Sequence, residues 1–330
     1  MINKMWNDFK RPRNLYPIPE NIKSQNLDYY YFKFSEKELL DGTHQALLKT
    51  FDENGIPLNT AYIDVEEPNL HYYPISIGQF GLAVFHSYLE TKAKEKKLHF
   101  LRIADWFCDN VTMDEKLGAY WLTDVPKPEY KVEKAWKSAF SQSRALSILL
   151  RAWQTDENDK YLDLCKKALI PFTFDISDGG VSANLKNGFP FYEEYVASEP
   201  TMVFDGHIFS MFGLYDFIRA VPANIDSKSH NMAKSLFEYG IKSLIHFFPE
   251  YDMGFWLRFN LCKMPHYPKI DPCTIGYIRL VNLQLKILYE ISENESLLGF
   301  HNKITGYDNF INIIKMYFIK YKALKTLNRL

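Results

Sequence analysis

From Tyr73 onward apolar residues recur at three- and four-residue spacing, as in Ile208, Phe212, Tyr215 and Ile218, which trace one face of a helix. The same period predicts helices near 75–91, 97–110, 138–155, 159–170, 203–221, 231–248, 276–292 and 306–325. Connections carrying Gly, Pro and Asp separate them. Sequential hairpins of this kind close most naturally into an (α/α) barrel or toroid of about four helix pairs, so a mainly α fold is expected. The first 70 residues differ: they are rich in Pro, Asn and Tyr, and alternation in Tyr29–Phe34 predicts a short strand or two. The chain thus divides into an N-terminal extended or β arm, 1–70, and a helical domain, 71–330. The arm's aromatic residues either serve a partner interface or cover the bottom of the barrel. Two stretches of weak periodicity, Asp114–Tyr130 and Asp175–Pro200, are long enough to be functional loops.

Composition mainly narrows the partners. With 47% hydrophobic residues in 330, the chain can bury a large core. A formal net charge of −1 provides no global basic field, which argues against nucleic acid and leaves any polyanion to a local cluster. Cys108, Cys165, Cys262 and Cys273 show no paired C-x-x-C spacing, so neither a metal site nor a disulfide framework is expected. The N-terminal stretch lacks an apolar core and no run reaches about 18 apolar residues, so no signal peptide or membrane span is expected and the location is read as cytoplasmic.

The candidate chemistry concentrates before the helix near 203–221. Glu193, Glu194 and Tyr195 offer two potential bases beside a phenol, in a loop that feeds a helix N-terminus. Asp205, at the start of that helix, suits an N-cap or a sugar-hydroxyl contact. Two glutamines interrupt apolar stripes: Gln142 among Ala139, Leu146 and Leu149, and Gln79 among Leu82, His86 and Leu89. Each either lines a central sugar-binding cavity, with Arg144 and Tyr73 close by, or bonds a neighbouring helix terminus.

The run FYEEYVASEPTMVFDGHIFSMFGLYDF (191–217) resembles, without a gap, a segment in the C-terminal domain of D-glucuronyl C5-epimerases. YPISIGQFGLAVFHSYL (73–89) and SAFSQSRALSILLRAW (138–153) resemble two further helices of that family, in the same order. The resemblance, closest to a bacterial cytoplasmic type, implies the (α/α) fold and a C5-epimerase that converts glucuronic to iduronic acid residues in a polysaccharide or glycan. It implies no cofactor, no metal and a homodimer. It assigns acid/base work to Glu194, Tyr195 and two later tyrosines; Tyr192, Glu193 and Asp205 are candidate substrate contacts, and the chemistry calls for a cation on the substrate carboxylate, which Arg258 or Arg144 could supply. Aligning the later segments sets Phe259 at the first of these tyrosines, Asn260 at an aspartate and Cys273 at the second tyrosine. Cys273 could exchange a proton, and so could Tyr267, His266 or Tyr277. Two alternatives follow from the lost phenols: a catalytically impaired glycan-binding protein, and a uronate lyase that shares the first proton abstraction. A hydrolase pairing Glu193 or Glu194 with Asp205 or Asp178 ranks below them.

Overall fold

The computed structural model describes residues 16–40, 48, 50–59, 70–133 and 135–329. Four helical hairpins follow one another: α1 (Pro74–Thr91) with α2 (Lys94–Asp109), α3 (Ala139–Asp156) with α4 (Asp159–Ala168), α5 (Phe204–Ala220) with α6 (Ser227–Tyr251), and α7 (Ile275–Ser292) with α8 (Glu295–Thr305). The first member of each pair packs side by side with the next, α1 on α3, α3 on α5 and α5 on α7, so these four form the inner wall of an α/α toroid. Three hairpins turn tightly because Lys92, Glu157 and Glu293 adopt the left-handed conformation at the end of the inner helix, with φ of 55°, 53° and 55°. Asn158 and Asn294 then cap the returning helix by accepting its N–H.

The eighth helix lies elsewhere than the periodicity predicts. Residues 295–305 pair with α7, and the apolar pattern near 306–325 belongs to a further helix, α9 (Phe310–Thr326), outside the hairpins. α8 buries only Leu297 and Ile304 and carries Gly299, so its periodic signal is weak.

α3 and α5 are buried almost throughout, and their approach depends on Gly213. A Cβ there would lie 2.5 Å from the Cα of Ser143, whose hydroxyl donates to Phe209 O (2.6 Å) and accepts from Gly213 N–H (3.0 Å). Helix crossing this close requires the missing side chain. Short antiparallel strands decorate the connections: β1 (Thr50–Phe51), β2 (Pro57–Asn59) and β3 (His71–Tyr72) form one sheet, β4 (Thr112–Asp114) pairs β5 (Gly118–Tyr120), and β6 (Ser182–Ala183) pairs β7 (Phe191–Tyr192).

Tyr29–Phe34, expected as strand, is irregular, with Tyr30, Tyr31, Phe32 and Phe34 buried. Its alternation reflects rings packed in the core: Tyr31 stacks on Phe212 at 4.5 Å, and Phe32 meets Phe209 edge-on. The arm spans the C-terminal ends of the inner helices, covering that end of the toroid. His86 of α1 accepts from Tyr30 N–H, and Gln154 just inside the end of α3 accepts from Leu27 N–H. Arg151 donates to Asp28 O, Arg219 of α5 donates to Ser24 O, and Lys23 pairs with Glu293 at the end of α7. Between these helices Asp216, fully buried, accepts from Arg151 (2.7 Å), Tyr31 (2.9 Å) and Arg219 (3.4 Å). Among the described residues no helix is long and apolar enough to cross a membrane.

Candidate active site

The opposite end of the toroid, at the N-termini of the inner helices, gathers the chemistry. The chain from β7 into α5 folds back on itself around Glu193, whose buried carboxylate accepts from Thr201 N–H and hydroxyl and from Met202 N–H. Burial pushes its pKa up to about 7 against these three donors. Met202 sits at φ 51°, a conformation costly for a side-chain-bearing residue, and its carbonyl is held by the Tyr251 hydroxyl at 2.6 Å. Glu193 therefore shapes the loop instead of facing a substrate.

Glu194 and Tyr195 are also buried but keep a small exposure, 8% and 7%, where Glu193 keeps none. Glu194 packs on the first turn of α5 because residue 206 is glycine: a Cβ there would meet Glu194 Oε2 at 2.5 Å. Burial raises the Glu194 pKa, while a hydrogen bond with Tyr195 and the Lys127 ammonium oppose the rise. Asp205 is raised well above the usual carboxylate range by burial and by the Glu194 charge. Asp205 does not cap α5: Val203 holds that position, fixed by its pairing with Asn260, and the Asp205 side chain lies within the first turn.

Tyr195 heads a column of aromatic rings. It stacks on Tyr130 (5.3 Å), which stacks on Tyr267 (5.4 Å), and its other neighbour Trp136 (5.1 Å) meets Tyr73 at the start of α1. Lys127 lies 4.9 Å from the Tyr195 ring centre. Asn260 Nδ2 donates to both Tyr130 Oη (2.8 Å) and Tyr267 Oη (2.6 Å), and the Tyr267 hydroxyl donates to Asp271 (3.0 Å), which pairs with Lys320 of α9 (2.6 Å). Beside Trp136 opens a groove of about 460 Å³ lined by Lys131, Lys137, Val196 and Ser198.

Several residues selected from sequence are engaged elsewhere. Gln142 spends its amide on Ala119 O (2.9 Å) and Ala168 O (3.0 Å), the latter at the end of α4, and accepts from Trp121 N–H; it bonds a helix terminus. Gln79 is half-buried on α1. Tyr192 is buried with its hydroxyl on Leu236 O at 2.5 Å, facing α6. Arg144 is fully buried with no hydrogen-bond acceptor among the described residues, inside a cage of Tyr30, Phe34, Phe140 and Phe209. Arg258 is half-buried and donates weakly to Lys269 O. Neither arginine thus lies with Glu194, and Lys127 is the cation beside it. Cys273 is buried ahead of α7, where burial pushes its thiol well above the usual range. Phe259 lies edge-on to the exposed Tyr277, and His266 bonds Glu129 O.

Lys127, Tyr130 and Asp271 were not selected from sequence. The first two lie in the long loop 114–130, whose length was the available signal; nothing in the local sequence marks Asp271.

Because Glu194 and Asp205 titrate higher in the folded state than unfolded, folding favours their neutral forms. The stability this represents is fully present below the ordinary carboxylate range of about 4 and is lost as pH rises through the raised values. Asp205→Asn removes one of the two groups, so its melting temperature should fall less between pH 5 and 8 than that of the parent. Parallel melting curves across that range would show that Asp205 ionises normally in the fold.

A toroid of helical hairpins with a carboxylate and phenols at the N-terminal end of its inner helices defines the class. The chain belongs to the family described as D-glucuronyl C5-epimerase C-terminus, whose profile matches residues 115–305. It is 31% identical over 175 residues to a D-glucuronyl C5-epimerase of Caenorhabditis elegans, covering 50% of this chain and 27% of that protein. It is 25% identical over 201 residues to an uncharacterized protein of Methanocaldococcus jannaschii, covering 59% of this chain and 60% of that one. The chain therefore spans less than two thirds of the length of either relative. Among solved structures, the GH76 alpha-mannanase BT2949 of Bacteroides thetaiotaomicron superposes with a TM-score of 0.43 at 13% identity, over 75% of this chain and 61% of that one.

Proposed function

We propose that this chain is a uronosyl C5-epimerase acting on glucuronic acid residues within a polysaccharide or glycan. The observation that carries the proposal is the placement of the Glu194 carboxylate against Gly206 in the first turn of α5, hydrogen-bonded with Tyr195 and near the Lys127 ammonium, in surroundings that raise its pKa. The C5 proton of a uronate lies alpha to a carboxylate and is only weakly acidic. Its removal needs a base poised near neutral pH and a cation that neutralises the charge developing on the carboxylate. Glu194 takes the proton from one face, Tyr195 polarises or relays, and Lys127 meets the carboxylate. N-terminal ends of the inner helices add partial positive charge on the same side.

A proton donor on the opposite face completes the reaction; the sequence left Tyr267 open for this beside Cys273, His266 and Tyr277, and Tyr267 would first have to turn its hydroxyl away from Asp271 (3.0 Å). Burial and the Asp271 charge hold the Tyr267 phenol well above its usual pKa, and Asn260 Nδ2–H, 2.6 Å from its oxygen, offsets this in part. The substrate chain leaves along the groove past Trp136, where Lys131 and Lys137 suit an anionic polymer.

Incubation in deuterated water with an unsulfated glucuronic acid polymer tests this reading. Deuterium at C5 without chain cleavage is the expected NMR result. An ultraviolet-absorbing unsaturated product would replace it by the lyase. Polymer binding without exchange would favour the impaired binding protein, the alternative supported by a ring without hydroxyl at Phe259.

A further inference from the structure

α9 stands outside the hairpins and has two apolar faces. One buries Ile313, Met316 and Tyr317 against the protein. The other exposes Phe310 (63%), Ile311 (64%), Ile314 (40%), Phe318 (71%) and Tyr321 (46%). Steps of four, four and three residues from 310 through 314 and 318 to 321 keep this second set on one stripe. An apolar stripe of this length on an exposed helix marks a docking surface. From Phe310 to Arg329 the chain has no acidic residue and carries Lys315, Lys320, Lys322, Lys325 and Arg329. Lys320 and Arg329 are engaged inward, with Asp271 and Glu129. Lys315, Lys322 and Lys325 stay exposed along and beside the stripe.

We propose that α9 docks this protein on an anionic lipid surface, lying in the plane of the interface with Phe310, Ile314 and Phe318 in the headgroup and acyl boundary and its lysines on lipid phosphates. An apolar face bordered by lysines is the chemistry that such surfaces bind. A second copy of the helix is a poorer partner. Lys315 and Lys322 are seven residues apart on one flank, and a two-fold antiparallel pairing would set that flank against its own copy. A sugar polymer is also poorer, since Ile311 and Ile314 offer it no hydrogen bond. Because Lys320 and Arg329 tie α9 to the two loops that hold Tyr267 and Tyr130, docking would bring the mouth of the site alongside the lipid.

Sedimentation of the whole chain with vesicles of mixed phosphatidylcholine and phosphatidylglycerol, and with phosphatidylcholine alone, provides the test. The expected result is binding to the mixed vesicles alone, weakened by salt, reduced about fivefold by each of Lys315→Gln and Lys322→Gln, and lost in Phe318→Glu. Phe318 is exposed, so this variant should keep the parent melting curve. Failure to bind mixed vesicles overturns the proposal, as does equal binding to both vesicle types. A solution dimer that Phe318→Glu dissociates, with no vesicle binding, would assign the stripe to a second copy instead. Loss of glucuronic acid polymer binding in that variant, again without vesicle binding, would assign it to the glycan.

Discussion

Glu194→Gln is expected to fold like the parent and to slow C5 proton exchange by about 10² to 10⁴-fold, the span that a positioned general base contributes. The amide has nearly the same shape, so packing on Gly206 survives, and it removes a carboxylate that burial already penalises. Thermal stability near pH 8 should therefore stay equal or rise while exchange is lost. This combination separates a chemical role from a structural one. Glu193→Gln serves as the contrast: it alters a side chain that holds Thr201 and Met202, so its principal effect should be on the melting temperature. Parent rates of C5 deuterium incorporation in the Glu194 variant would remove this residue from the mechanism.

Asp216→Asn should destabilise the protein by about 3–5 kcal/mol, because it leaves Arg151 and Arg219 buried without their carboxylate. The loss reaches beyond one ion pair. Tyr31 and Arg151 use separate oxygens of Asp216 and would have to share the one that asparagine keeps, and the same arginines hold Asp28 and Ser24 of the arm. Urea unfolding measures the effect directly. Arg144→Met provides the control, since Arg144 has aromatic rings around it but no hydrogen-bond acceptor among the described residues. There the relief of a buried charge offsets the lost ring contacts, and a change within about 1 kcal/mol is expected. Equal costs for the two variants would show that Asp216 contributes no more than packing.

The helices were legible wherever one apolar face repeats over four or more turns, as in α1, α3, α5 and α7. α8 was not, because its buried face amounts to Leu297 and Ile304. Alternation in Tyr29–Phe34 signalled a strand, yet rings inserted into a core produce the same pattern without a ladder. At the site, Glu194 and Tyr195 stood out because both lie in one loop directly before a helix. Lys127, Tyr130, Asn260, Tyr267 and Asp271 come together from two loops more than 100 residues apart, between Tyr130 and Asn260 for example, so periodicity carries no information on their meeting. Gln142 shows the limit in the other direction. A polar residue on an apolar stripe says that a partner exists, and here the partners are two backbone carbonyls instead of a sugar.

The arm under the toroid also bears on how the chain acquires its fold. Residues 21–31 leave the ribosome well before their partners: Arg219 stands 195 residues beyond Ser24, and Glu293 lies 270 beyond Lys23. Hairpins can form locally as they emerge, while the arm must wait for α5 and α7. Closure by so distant a pairing carries a high contact order and comes late. Until then the ring faces of Tyr31 and Phe212 stay open to water, and the unfinished toroid is the form most exposed to aggregation during synthesis.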